Sequence, residues 1–134
     1  MKKYQITRVL EVFDGSSFEG IIDLGMGVYL KKTIFLSGII SPINNENEKE
    51  YWQQAKGKLQ YYLRNAVDLN VYIDIEEYRD DYVYGIVYTN ESDESLNWNM
   101  FLKGYVWDNG IVLPTDNNKK RETYVLNTPK ERLK

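Results

Sequence analysis

Residues 4–36, YQITRVLEVFDGSSFEGIIDLGMGVYLKKTIFL, carry the pattern from which the fold is read. Three runs rich in β-branched and aromatic residues, at 4–13, 17–24 and 28–36, alternate in part between apolar and polar side chains. That period of two marks strands with one buried face. Asp14-Gly15-Ser16 and Gly25-Met26-Gly27 separate the runs, and both are turn signals. Turns this short join antiparallel neighbours, so the segment reads as a three-stranded meander.

Working outward, residues 37–47 read as a loop punctuated by Gly38, Pro42 and Asn44-Asn45. A helix is predicted over 48–66, because Trp52, Ala55, Leu59, Tyr62, Leu63 and Ala66 recur at close to 3.6 residues. Gly57 inside it costs about 1 kcal/mol against Ala, and the expected compensation is a close approach to the sheet. Residues 69–75 alternate as a half-buried strand, 76–81 form an acidic turn, and 83–89 are a fifth strand. Ser95 is placed to cap a short helix that ends at Gly104. The order βββ-α-ββ-α is the plan of a mainly β, α+β domain, the five-stranded Greek-key barrel of the OB-fold. It is expected to occupy residues 1–112, with 113–134 as a solvated basic tail.

The 134 residues fit one domain, large enough to bury a core without staples. With no cysteine and no histidine there is no disulfide, no thiolate metal site and no imidazole proton shuttle, and neither metal nor cofactor is expected. No run is apolar enough to cross a membrane, and the first residues turn polar too early for a signal peptide, so a cytoplasmic location is expected. Abundant Lys, Asn, Ile and Tyr fit an AT-rich genome, bacterial or phage. The net charge of −3 is uneven: from residue 117 onward six basic residues face two acidic ones, which leaves the body acidic. An acidic body does not suit a phosphate backbone, which is bound by neutralising it.

Four local words then line up in order over residues 8–107. Residues 11–18, EVFDGSSF, resemble a V-x-D-G-D-T turn; residues 30–43, LKKTIFLSGIISPI, resemble R-x-R-L-x-G-I-D-T-P-E. Residues 84–88, YGIVY, resemble the strand after Y-G-R, and residues 96–106, LNWNMFLKGYV, resemble an L-N-x-x-L-x-x-x-G-x-A helix. Together they resemble the staphylococcal nuclease family. The resemblance implies an OB-fold, and in the family a calcium ion, a carboxylate acting on water and two phosphate-clamping arginines. This chain departs from all five positions. The metal-holding aspartates fall on Ser16 and Ile40, the glutamate on Ile43, the first arginine on Phe35 and the second near Tyr82. Isoleucine offers no oxygen to a cation that wants six to eight, and phenylalanine no positive charge to a developing oxyanion. What the resemblance implies is therefore a catalytically inactive nuclease-like domain that binds.

Phe35, Ile40, Ile43, Tyr61, Tyr82, Lys31 and Lys32 are the candidate binding residues. Tyr and Trp favour protein interfaces, and a protein partner is the first expectation, for instance as a phage-encoded inhibitor of a host nuclease or defence protein. The alternatives are a single-strand nucleic-acid binder, stacking bases on aromatics of the OB face with help from the tail, and a divergent metal-dependent nuclease. Trp52 and Trp98 read as core. Glu76, Glu77, Asp80 and Asp81 read as a solvated turn, since their spacing is not that of an EF-hand loop. Glu19 and Asp23 read as an exposed strand face.

Overall fold

The computed structural model describes residues 3–66, 70–89 and 92–111. The basic segment from residue 113 lies outside the described residues, and so does the tail assigned to it. The elements are β1 (Lys3–Asp14), β2 (Ser17–Gly25), β3 (Val28–Leu36), β4 (Ile39–Ile40), α1 (Lys49–Arg64), β5 (Val71–Tyr78), β6 (Tyr82–Thr89), α2 (Leu96–Leu102) and β7 (Trp107–Asp108).

Five strands close a barrel in the order β1-β2-β3-β6-β5, and β5 returns to pair with β1. All pairings are antiparallel except β3 with β6, which is parallel. This is the OB-fold Greek key read from the sequence. Closure depends on β1. It runs along β2 over residues 5–14 and along β5 only over residues 3–6. Three register shifts against β2, after Ile6, Val9 and Val12, bend it between the two partners. The same bulges explain why its alternation is only partial, with Ile6 and Val12 buried and Leu10 exposed between them.

The barrel interior holds Ile6, Phe18, Ile22, Ile34, Leu36, Val71, Ile73, Val83 and Val87. α1 packs Ala55, Leu59 and Leu63 against this core, and α2 adds Leu96, Trp98, Met100 and Phe101. Trp98 is buried as expected. Trp52 is only half-buried; its Nε1 donates to the Phe13 carbonyl at 3.2 Å, and Lys56 lies over the ring. Ser95 caps α2 as anticipated: its Oγ accepts from the Trp98 amide at 2.9 Å. Gly104, at φ 78°, ends that helix with its amide on the Phe101 carbonyl.

Several expectations need correction. β5 extends to Tyr78, so Glu76 and Glu77 belong to a strand and only the following residues turn. A bulge between Ile75 and Glu77 keeps β5 in step with β6 there. The segment read as a loop contains β4, which pairs with the unforeseen β7. Gly57 approaches nothing: an added Cβ would have no neighbour within 4 Å. Gly57→Ala is therefore expected to stabilise by about 1 kcal/mol, since only the helix propensity changes. A thermal melt should show Tm raised by about 4 °C. No helix among the described residues is long and apolar enough to cross a membrane.

Candidate interaction face

Where β3 and β6 run side by side, strand alternation sends Ile34, Leu36, Val83 and Val87 inward. Phe35, Tyr82 and Tyr84 fall on the outer side. The parallel register sets Thr33 level with Tyr82 and Phe35 level with Tyr84. Phe35 stacks on Tyr84 with centroids 4.9 Å apart and planes at 21°. Tyr82 meets both edge-on, at 5.7 Å from Phe35 and 5.6 Å from Tyr84. Such pairs contribute about 0.5–1.5 kcal/mol beyond area burial. Phe35 and Tyr82 were singled out from the sequence. Tyr84 was not, although it is the residue that stands level with Phe35. Its signal was present in the alternation of 82–89, but pairing β6 with β3 requires a register that sequence alone does not supply.

Ser16 sits at the edge of this face. Its carbonyl accepts from the Leu36 amide at 2.8 Å, and the residue is buried. Asp14 holds the turn: its Oδ1 accepts from the Ser16 amide and from the Ser17 hydroxyl, both at 2.8 Å. Ser41 braces the turn from the opposite side, its Oγ accepting from the Gly15 amide at 2.8 Å. Ile40 faces Trp107 across the β4–β7 pair, and Ile43 precedes α1; both are about half exposed. Neither belongs to the ring cluster.

The basic candidates behave differently. Lys32 is buried and ties down the β5–β6 hairpin, donating from Nζ to the Arg79 and Asp80 carbonyls and lying 4.8 Å from the Tyr78 ring centroid. Its ammonium is spent on the hairpin backbone. Lys31 remains exposed beside Glu19 at 3.8 Å, a pair worth at most about 1 kcal/mol. Arg79 pairs with Glu77 at 3.6 Å. Lys31 and Arg79 are thus matched by carboxylates and Lys32 by carbonyls, and Asp80 and Asp81 are exposed. Tyr61 is exposed on α1, which packs chiefly on β1 and α2, and Lys58 lies over its ring. Asp23 accepts from the Gly25 amide, whereas Glu19 lies beside Lys31. Among the described residues no group of three His, Cys, Asp or Glu side chains is placed to hold a metal.

Two tyrosines off this cluster carry a pH signature. Burial first, then the nearby Asp74 and Glu76 carboxylates, raise the Tyr88 pKa above its usual value. Burial, then Tyr105 and Tyr61, do the same for Tyr62. A raised native pKa favours the protonated form. The stability it contributes is whole below the unfolded pKa of about 10 and is lost as pH rises from there through the native value. Urea midpoints should fall above about pH 10, and Tyr62→Phe with Tyr88→Phe should flatten that decline.

No protein-family model matches the chain, and no curated protein matches it either. The nuclease likeness thus rests on the sequence words alone, and the barrel shows an OB-like fold.

Proposed function

We propose that the chain is a catalytically silent, staphylococcal-nuclease-like OB module that works by binding a protein partner through the β3–β6 face. The observation that carries this reading is the Phe35–Tyr84 stack with Tyr82 against its edge. Three aromatic rings occupy the stretch where the likeness calls for positive clamps on phosphate. Partly exposed, mutually packed rings within a polar rim are the composition of an interface hot spot. The surrounding carboxylates oppose a phosphate backbone and favour a basic protein surface. A nucleic-acid-handling protein has such a surface, as the host target of a phage-encoded inhibitor would. Outward aromatics on an OB barrel also favour a second reading, single-strand binding by stacking.

The test compares the wild-type chain with the Phe35→Ala/Tyr84→Ala variant, both immobilised and exposed to DNase-treated cell lysate. The wild type is expected to retain a partner that the variant loses by at least about 30-fold in affinity, the effect of removing hot-spot aromatics. Circular dichroism melts of the two should remain close. Oligothymidylate binding at low salt that weakens steeply as salt rises would replace this reading with the nucleic-acid one. Calcium-dependent DNA cleavage by the wild type would replace it with an enzyme.

A further inference from the structure

Beside the ring face, β6 continues outward-facing with Ile86 and Tyr88 into a cleft of about 260 Å³, closed by the start of α2 and the segment after β7. The volume lies below the roughly 300–1,000 Å³ of sites for drug-sized ligands, and suits one long side chain. Ile86, Tyr88, Trp98 and Ile111 line it among polar neighbours, and the exposed acidic residues Glu76 and Asp93 line it too. Neither carboxylate has an ion-pair or hydrogen-bond partner among the described residues. One further polar atom is unspent: Ser37 Oγ is buried and has no hydrogen-bond partner. Asn97, which also lines the cleft, is fully used, since its amide donates to the Ser37 and Gly85 carbonyls and its oxygen accepts from Val87. Ser37 Oγ has no exposed surface, so the unpaired groups that an incoming side chain can meet are the two carboxylates.

We infer that this cleft receives a single arginine side chain from the protein partner, an inference that rests on the binding reading above. A guanidinium brings a fixed positive charge and five donors, which matches the two unpaired carboxylates. Its methylene stem lies against the apolar walls while the charged head meets the carboxylates. Lys3 already lies 4.1 Å from the Tyr88 ring centroid, so the carboxylates, more than that ring, attract the incoming charge. The cleft adjoins the Phe35–Tyr84 stack through Ile86, so one partner surface can engage both.

The test titrates the full-length 15N-labelled chain with N-acetyl-arginine methylamide and, as a neutral match in shape, N-acetyl-citrulline methylamide. Saturable amide shifts at Ser37, Gly38, Gly110 and Ile111 are expected with the arginine probe and not with citrulline. Glu76→Gln/Asp93→Asn should weaken the arginine probe by about fivefold or more. Equal responses to both probes, or shifts centred elsewhere, would overturn the inference. So would binding seen only after Lys119, Lys120 and Arg121 are changed to Gln, which would assign the cleft to the chain's own basic segment. Loss of the arginine response with partner capture still dependent on Phe35 and Tyr84 would sink this inference alone and leave the binding reading standing.

Discussion

Asn97→Ala is expected to lower stability by about 3–5 kcal/mol, a large share of what a domain of this size possesses. The side chain is almost wholly buried and makes three bonds to backbone: it donates to the Ser37 carbonyl at 2.8 Å and the Gly85 carbonyl at 3.1 Å, and accepts from the Val87 amide at 3.0 Å. Alanine removes that partner from the Ser37 carbonyl and the Val87 amide, while the Gly85 carbonyl keeps the Ser37 amide at 2.9 Å; each orphaned polar group costs about 1–3 kcal/mol, with incomplete additivity. The bonds join the end of β3, the middle of β6 and the start of α2 at one point. Asn97→Asp should fare no better, because a carboxylate cannot donate to the two carbonyls. Asn99→Ala, on the half-exposed side of the same helix, should stay within about 0.5 kcal/mol of wild type. Urea unfolding of the three variants measures this. An Asn97→Ala midpoint close to wild type would mean that the end of β3 and the middle of β6 are held together by something else.

The parts of the fold that were readable are those governed by neighbours in the chain. The meander follows from alternation and two short turns, and α2 from Ser95 and Gly104 at its ends. The face built on β3 and β6 is different. Its rings come from positions 35, 82 and 84, and their juxtaposition depends on a parallel pairing between strands separated by the whole of α1 and β5. Alternation shows that Tyr82 and Tyr84 share a side of β6, but not which strand lies next to them. Lys32 shows the converse limit. By type it is a surface cation, yet its position where the barrel meets the β5–β6 hairpin turns it into a donor for two carbonyls. Composition did indicate that aromatics outnumber free positive charges; only the register locates them together.

Glycine makes the same point with opposite signs, and Gly85→Ala is the second variant with a large expected effect. A Cβ there would lie 2.6 Å from the Asp74 carbonyl oxygen and 2.7 and 2.8 Å from Ile73 Cγ1 and Cδ1. Ile73 is in the barrel core, and the carbonyl belongs to the neighbouring strand's backbone, so neither can simply swing away. Relief requires β5 and β6 to part, at a cost of about 3 kcal/mol for one methyl group. At Gly57 the same methyl group is expected to stabilise. The consequence reaches the ring face, because Gly85 lies between Tyr84 and Ile86 and its carbonyl accepts from both the Ser37 amide and Asn97. Pushing β6 away from β5 displaces Tyr84 against Phe35. Gly85→Ala should therefore lose partner capture at temperatures where the chain is still folded, with a changed near-ultraviolet dichroism from the Phe35–Tyr84 stack. A variant that melts within about 1 °C of wild type would show that β5 and β6 lie farther apart at this point than the contact distances require.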